Sequence, residues 1–537
     1  MRSRGDRGCG PERTDERFMD TPREIELKLE CTGPDLAALG AHPLLQGQAD
    51  GAASEPKLLA ATYFDTADGA LREADLTLRV RRTGEAFVQT VKAGSGAAGL
   101  FDRAEWESPV AGEAPEPAAF ADTPVADLLA KAEAPDLAAQ FRTVVMRSVR
   151  PVTYGASRIA ATLDEGRVET DRGDAPLCEL ELELESGDPA DLFALAQALA
   201  ETVPLRIGVL SKSARGFALR DGKAARPSKS DMAPLPKDAT GGEAFRHIAL
   251  GCLRHLRLNE DVWGHARDPE ALHQMRVALR RLRTALWLFR PMLAGDARAA
   301  TLGDEIKRVT EPFGRARNLD VFLETTLPDE IARRPDEPGL AGLRERLETE
   351  RDRAHDAVGA ILTSPEWRSL LLDLLAWIEA GPWREGVGKL RDAPARDLAT
   401  EVLERLRRRI AKRGRHIERL DPEARHRVRI AGKKLRYGAE FFAGLYGGRK
   451  ARRRHKAFAA ALSDLQDHLG GLNDLATAHA VMAGLADASG PASDALDGQA
   501  LFAAGLATAD SEAQADELLA GAAEAHGTLA DLKPFWR

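Results

Sequence analysis

The sequence predicts a multi-domain protein, an α+β unit built on an antiparallel sheet followed by an all-α unit that contains an internal duplication. Three observations carry this. Residues 21–220 alternate apolar and polar side chains with a period of two in segment after segment. From about residue 243 to the end the period is 3.6, with no strand pattern. Within that second region a basic pattern recurs: His273, Arg276, Arg280, Arg281, Arg283, and then, 153 residues later, His426, Arg429, Lys433, Lys434, Arg436.

A chain of 537 residues is too long for one core. Its composition is that of a globular protein, 44% hydrophobic and 30% charged, with no run of 18 apolar residues to span a membrane. Residues 1–20 are charged, lack the apolar stretch of a secretory signal, and are expected to be a disordered extension. Met19, just ahead of the first strand pattern, is an alternative start. Cys9, Cys31, Cys178 and Cys252 show no pairing or CxxC spacing. A reduced cytoplasm is expected, with neither a disulfide framework nor a zinc site. The net charge of −8 implies no general attraction to nucleic acid, so the basic residues matter through local concentration.

In order along the first unit, strands are expected at REIELKLE, ATYFDT, LTLRVRR, FVQTVKAG, RAEWESPV, RIAATLDEG and CELELELESG. Helical stretches fall near 34–45, 117–139 and 188–202. Residues 221–242, rich in Pro, Lys, Ser and Gly, read as a linker. The second unit spans 243–537, and its stretch 491–526 is expected to form a helical hairpin.

In a strand, residues i, i+2 and i+4 share a face. Glu24, Glu26 and Lys28 therefore oppose Ile25, Leu27 and Leu29. Glu179, Glu181, Glu183 and Glu185 oppose Leu180, Leu182 and Leu184. Arg79 and Arg81 share a face, as do Arg103, Glu105 and Glu107. A solvated face is the ordinary reading of one such strand. A whole set with mixed signs is what a closed barrel with a charged interior would produce, its apolar side covered by helices. Paired carboxylates with no Cys and hardly any His select a hard cation such as Mg²⁺ or Mn²⁺. Lysines and arginines among them would hold phosphates. No Walker-type glycine loop is present.

On these residues the chain resembles the CYTH superfamily, the triphosphate tunnel metalloenzymes. Glu24-Ile-Glu26-Leu-Lys28 matches its ExExK signature. The order continues through Tyr63-Phe-Asp-Thr66, Arg79-Val-Arg81, Thr90-Val-Lys92, Arg103-x-Glu105-x-Glu107, Arg147, Asp164, the Cys178–Glu183 strand and Ser211-Lys212-Ser213. The resemblance implies an eight-stranded tunnel-type β-barrel that hydrolyses a triphosphate with Mg²⁺ or Mn²⁺. It places Glu24, Glu26, Asp164, Glu179, Glu181 and Glu183 on the metal. Glu24, Glu26, Lys28 and Lys212 would be catalytic, and Arg79, Arg81, Lys92, Arg103 and Arg147 would bind substrate. Arg142 and Arg158 are weaker candidates. The family often carries an aromatic shortly after the arginine matched by Arg147, where this chain has Arg150-Pro151. Activities in the family include inorganic and thiamine triphosphatases, RNA triphosphatases and an adenylate cyclase class.

In the second unit, His273, Arg276, Arg280 and Arg283 fall within about 80° of helical arc, opposite Met275, Ala278, Leu279 and Leu282. The second copy sets its cations opposite Val428, Ala431, Leu435 and Ala439. Two helices that bury one side and carry cations on the other imply a groove for a polyanion. HQMRVALRRLR with Phe313-Gly314-Arg-Ala-Arg317-Asn318-Leu-Asp320, and HRVRIAGKKLRY with Leu469-Gly470-Gly-Leu-Asn473-Asp474, resemble the CHAD domain. That domain is often fused behind CYTH and implicated in binding inorganic polyphosphate. The family usually has Arg-Asp where this chain has Arg317-Asn318. Turn or capping chemistry is the plain expectation for Asn318 and Asn473. The run Arg449, Lys450, Arg452, Arg453, Arg454, Lys456 is a third basic cluster or simply a solvated face. The partners implied are inorganic triphosphate and polyphosphate. The scarcity of aromatics among the basic residues argues against nucleic acid, and the lack of large aromatics on the polar side argues against a membrane surface.

Overall fold

A computed structural model of the protein describes residues 23–46, 55–94, 98–131, 136–386, 388–486, 498–513 and 515–537. The expected extension at 1–20 lies outside these. The chain forms two compact units, Met1–Ala224 and Ala225–Arg537.

The first unit contains β1 (Arg23–Glu30), α1 (Gly33–Gly40), β2 (Lys57–Thr66), α2 (Ala70–Glu73), β3 (Leu76–Thr83), β4 (Ala86–Ala93), β5 (Leu100–Val110), α3 (Pro124–Leu129), β6 (Leu137–Tyr154), β7 (Ser157–Thr170), β8 (Gly173–Ser186), α4 (Pro189–Ala200), β9 (Arg206–Ile207) and α5 (Lys212–Arg220). Strand order is β5-β4-β3-β2-β6-β7-β8-β1, and β1 pairs back onto β5, so eight antiparallel strands close into a barrel. The short β9 extends the β1 edge where β5 leaves it. The eighth strand, β6, is one that alternation alone does not reveal, and the helix expected over 117–139 stops at Leu129 and gives way to it.

Alternation sets the two faces of the wall. Leu27, Leu29, Leu180 and Leu182 are essentially inaccessible, on the outer side where α4 packs on β1 and β8. Each such leucine contributes about 1.5–3 kcal/mol by leaving water. Leu78, Val80 and Val91 do the same against Phe120 and Val125. The inner face is not uniform. Where β2, β6, β7 and β8 run past the charged residues, their inward positions turn apolar. Leu59, Ala61, Tyr63, Phe141, Val145, Val168 and Leu177 cluster with Phe217 of α5. Tyr63 stacks on Phe141 at 4.6 Å, and Phe217 meets Phe141 edge-on at 5.0 Å. Gly216 lets α5 in: a Cβ there would lie 2.1 Å from the Phe141 ring. The interior is therefore half charged chamber and half apolar plug.

The second unit contains α6 (Gly241–Ala266), α7 (Pro269–Leu288), α8 (Ala297–Val309), α9 (Glu311–Val321), α10 (Leu327–Arg333), α11 (Gly339–Leu362), α12 (Pro365–Ala380), α13 (Ala395–Arg413), α14 (Pro422–Phe441), α15 (Arg449–Ala486), α16 (Gly498–Ala513) and α17 (Ala515–Asp531). The two repeat-bearing helices begin alike. Asp268 caps α7 with Pro269 next, and Asp421 caps α14 with Pro422 next, so an acceptor side chain and a pre-set φ start each copy. Residues 225–240 hold no helix, yet they are strapped to α6. Asn259 Oδ1 accepts from the Ser228 amide at 3.0 Å, and Leu235 is buried.

Candidate functional site

The strand register brings the inward-facing charges together. Glu26 sits opposite Glu183, Lys28 opposite Glu181, and Glu24 opposite Arg103. Arg147 sits opposite Asp164, which in turn faces Glu179. The result is a chamber of about 250 Å³ lined by Glu24, Glu26, Lys28, Arg79, Arg81, Lys92, Arg103, Arg147, Glu181, Glu183 and Lys212, with Glu105 and Glu107. Of the expected barrel-site residues, only Asp164 and Glu179 stand behind this lining, buried beneath it. Arg142 and Arg158 are exposed and do not line the chamber.

Two electrostatic neighbourhoods share the chamber. In the deeper one, Asp164, Glu179 and Glu181 meet Lys28, Lys212 and Arg147. Lys28 Nζ lies 3.0 Å from Glu179 and also bonds Glu181. Lys212 Nζ lies 2.7 Å from Asp164 and 2.9 Å from Glu181, and bonds Glu179 as well. Arg147 grips Asp164 through Nε at 2.8 Å and Nη2 at 2.5 Å, and Glu181 at 2.9 Å. Burial alone would discharge these groups. The opposing charges outweigh it, so Lys28 and Lys212 are raised, and Asp164 and Glu181 are held below the usual carboxylate range. The direct Arg147–Asp164 pairing shows that Arg150-Pro151 does not move Arg147 off the site. Pro151 falls in the part of β6 beyond its pairing with β2, where a missing amide costs no ladder bond on that side.

In the second neighbourhood Arg103 lies 2.7 Å from Glu26 and 3.4 Å from Glu24, and Lys92 lies 2.5 Å from Glu24. Glu183 has no such cation. Burial, reinforced by Glu24 and Glu26, pushes its carboxyl up to about 7. Arg79 is bonded by the Tyr63 hydroxyl and lies 3.9 Å from Glu105, and Arg81 lies 3.3 Å from Glu107. The buried Nε of each makes no hydrogen bond. They are the cations with capacity left for another anion.

The donors fit a hard divalent cation: every anionic group here is a carboxylate. Asp164, Glu179 and Glu181 can bring one oxygen each within 4.8 Å of the others, and Glu179 Oε2 is buried without a partner. A cation on those three would displace ammonium groups. Glu24, Glu26 and Glu183 crowd negative charge with fewer cations among them, so the electrostatic demand is greater there.

Several lining residues were not singled out by alternation. Tyr63, Thr77, Ser211 and Ser213 reach the chamber, and the Tyr63 hydroxyl bonds Arg79. Asp65, in the same Tyr-Phe-Asp-Thr segment, accepts from the amides of Thr66, Leu71 and Arg72 and thereby fixes the turn into α2.

In the helical unit the two basic stripes meet. Arg280 of α7 raises the electrostatic cost of charging both Arg429 and Lys433 of α14. Lys433 is lowered to about 6, first by burial and then by Arg280, Arg429 and Arg436. Arg276 is lowered to about 10 by burial, Arg280 and Arg317. His273 is lowered by burial and Arg317, while His426 is exposed. Arg276 donates to the Phe313 carbonyl at 2.6 Å and Arg283 to the Gly303 carbonyl at 3.0 Å, which fixes their stems. Arg281 and Lys434 do not belong to this stripe. Each sits about 100° around the helix from its neighbour at i−1. Arg281 is buried against Glu440 at 2.5 Å and over Phe441, and Lys434 lies over Trp287 at 4.2 Å.

Arg317 was visible only as part of a motif, yet it bears on both His273 and Arg276. The turn expected at Asn318 and Asn473 is not found, since both lie inside helices, α9 and α15. Asp320 serves the core. Trp263 Nε1 donates to His355 Nδ1 at 3.3 Å, so His355 Nε2 carries the proton and donates to Asp320 at 2.9 Å. Arg449, Lys450, Arg452, Arg453 and Lys456 are exposed on the first turns of α15.

A barrel that turns charge inward, followed by duplicated helices, is matched by two family models, the CYTH domain over residues 22–217 and the CHAD domain over residues 247–483. The chain belongs to both families, as a CYTH–CHAD protein. It is 28% identical over 161 residues to an inorganic triphosphatase of Haemophilus influenzae, a match covering 29% of this chain and 45% of that protein. The chain thus spans less than half the length of that curated relative. Among solved structures, the CHAD domain of the plant Ricinus communis is 32% identical, covering 57% of this chain and 97% of that one, with a TM-score of 0.48. PptA from Streptomyces chartreusis is 16% identical, covering 53% of this chain and 99% of that one, with a TM-score of 0.39.

Proposed function

We propose that the barrel hydrolyses inorganic triphosphate to diphosphate and phosphate with Mg²⁺ or Mn²⁺, and that the helical unit binds inorganic polyphosphate. One observation carries the first part: seven cations and six carboxylates line a single chamber of about 250 Å³. A linear triphosphate needs several cations spaced along it, and its hydrolysis needs an oxygen-ligated metal. Arg79 and Arg81 bind substrate oxygens through their unbonded Nε groups, and Lys92 joins them from between Glu24 and Glu105. Arg103 and Arg147 add two further cations while orienting Glu26 and Asp164. Lys28 and Lys212 hold the deeper carboxylates in place and bring positive charge to the substrate's end. Glu24, Glu26 and Glu183 hold the metal, and Asp164, Glu179 and Glu181 form the second acidic set. The bound metal would supply charge neutralisation and an activated water.

The relative's activity as an inorganic triphosphatase supports this reading. The test is phosphate release from triphosphate, thiamine triphosphate, ATP and long polyphosphate, with Mg²⁺ and Mn²⁺ compared. Metal-dependent release from triphosphate, lost in Glu24→Ala plus Glu26→Ala, is the expected result. Full activity in that variant would sink the assignment.

The second part rests on the cations Arg276, Arg280, Arg429 and Lys433, which depress one another and are offset only in part by Asp320 and Asp474. Long polyphosphate offers repeated charge without bases to read, and its binding should weaken with salt as counterions are released. Reversing the charge of those four residues should abolish binding. A cytoplasmic location fits a phosphate-handling protein in which no described helix is long and apolar enough to cross a membrane.

A further inference from the structure

Two of the cysteines, unremarkable in the sequence, are brought together by the fold. Glu30 of β1 is the register partner of Glu179 of β8. One step further along the ladder, the Cys31 amide donates to the Cys178 carbonyl at 3.3 Å. Cys31 and Cys178 are thus directly opposed on adjacent antiparallel chains. Such partners hold their Cα atoms about 5.5 Å apart and their side chains on one face, within the span that a disulfide bridges. Glu30 and Glu179 point into the barrel, so the thiols stand on its outer side. Both are partly exposed and neither is bonded to another cysteine. Each thiol faces a carboxylate, Cys31 facing Asp35 and Cys178 facing Glu165, while Arg215 lies near Cys178.

We infer that Cys31 and Cys178 are a redox-modifiable pair, closed to an intrachain disulfide by a peroxide-class oxidant. In the first step one thiol sulfur attacks the peroxide. The O–O bond breaks, an S–O bond forms, and water leaves with the thiol proton. In the second step the other thiol sulfur attacks that sulfenic sulfur. The S–S bond forms, the S–O bond breaks, and a second water leaves. Two thiols lose two electrons in total and the peroxide gains them. Burial pushes both thiols up, Cys31 to about 12, so thiolate is scarce at neutral pH and closure is slow, needing sustained exposure to the oxidant. The bond would tie β1 to β8 directly behind Glu179, a residue that Lys28 and Lys212 hold from inside. It would also enclose most of the barrel in one covalent loop.

The test uses the full chain, reduced and then treated with hydrogen peroxide, alkylated, and digested without reductant. The expected result is a linked peptide joining Cys31 to Cys178. Dithiothreitol should cleave it, and it should be absent from Cys31→Ser and from Cys178→Ser. The melting temperature of the N-terminal transition should rise on the order of 5 °C or more on oxidation and return on reduction. Full alkylation of both thiols after peroxide, separate oxidation to sulfinic acids, or links only to Cys9 or between chains would each overturn the inference. The wild-type peptide map decides the matter even if a serine variant folds poorly.

Discussion

Replacing Lys28 with Met tests whether the deeper charge cluster is as tightly compensated as its geometry implies. The Lys28 side chain is 1% exposed, and so is Glu179, one of the two carboxylates it holds; Glu181 is 11% exposed. Removing one member of a buried ion pair costs about 3–5 kcal/mol, because the remaining charge is left without compensation. Lys212 still touches both carboxylates, so the lower end, about 3 kcal/mol, applies. For a unit of some 200 residues this corresponds to a fall of about 6–12 °C in Tm. Calorimetry of the full chain should show this drop in the N-terminal transition. Arg158→Met serves as the comparison. Its partner Glu185 is 3.7 Å away and the two side chains are 69% and 46% exposed, so under about 1 kcal/mol is expected. The pH dependence is a second check. Asp164 and Glu181 are depressed, so their contribution is present above the unfolded carboxylate range and lost as pH falls through their folded values. Lys28 and Lys212 are raised, so theirs persists through the neutral range and is lost only at strongly alkaline pH. The difference between wild type and variant should therefore be flat from about pH 6 to 9. A Lys28→Met shift no larger than that of Arg158→Met would refute the reasoning.

Four further outcomes are expected. Arg281→Ala should destabilise the helical unit by about 2 kcal/mol, through loss of Glu440 and the aromatic faces, yet leave polyphosphate affinity within about twofold. Arg280→Ala should do the reverse, weakening binding ~10-fold in a filter or calorimetric assay. Because Lys433 is lowered to about 6, polyphosphate binding should take up a proton near neutrality. Affinity should strengthen as pH falls from 8 to 5 at constant ionic strength, and Lys433→Arg should flatten that slope. Gly216→Ala should cost the barrel about 3 kcal/mol, seen in chemical denaturation, because its Cβ must enter the Phe141 ring.

The charged wall of the chamber was legible because alternation survives wherever one face is polar and the other apolar. Glu24, Glu26 and Lys28, and likewise Glu179, Glu181 and Glu183, lie on the side that their period of two assigns. Strand β6 escaped for the same reason. Phe141, Thr143 and Val145 point inward into the apolar plug, so its sequence loses the contrast that marks a strand, and Pro151 interrupts it further. Helical periodicity resolved Arg276, Arg280, Arg429 and Lys433 from the apolar side, but it could not tell a groove from a helix–helix seam. That distinction turned on partners from distant segments. Glu440 lies 159 residues from Arg281, and Trp287 lies far from Lys434 in sequence. The opposition of Cys31 and Cys178 depended on register alone, which no spacing of four cysteines encodes.

The apolar plug formed by Phe141, Tyr63 and Phe217 bounds the charged chamber on one side, and a chamber closed there is a cul-de-sac. Whatever enters the charged half must back out the way it came, and so must its products. A phosphate chain could then present only its tip, and each round of cleavage would begin by clearing the entrance. If the barrel hydrolyses triphosphate as proposed, diphosphate and phosphate that accumulate should obstruct the next substrate directly.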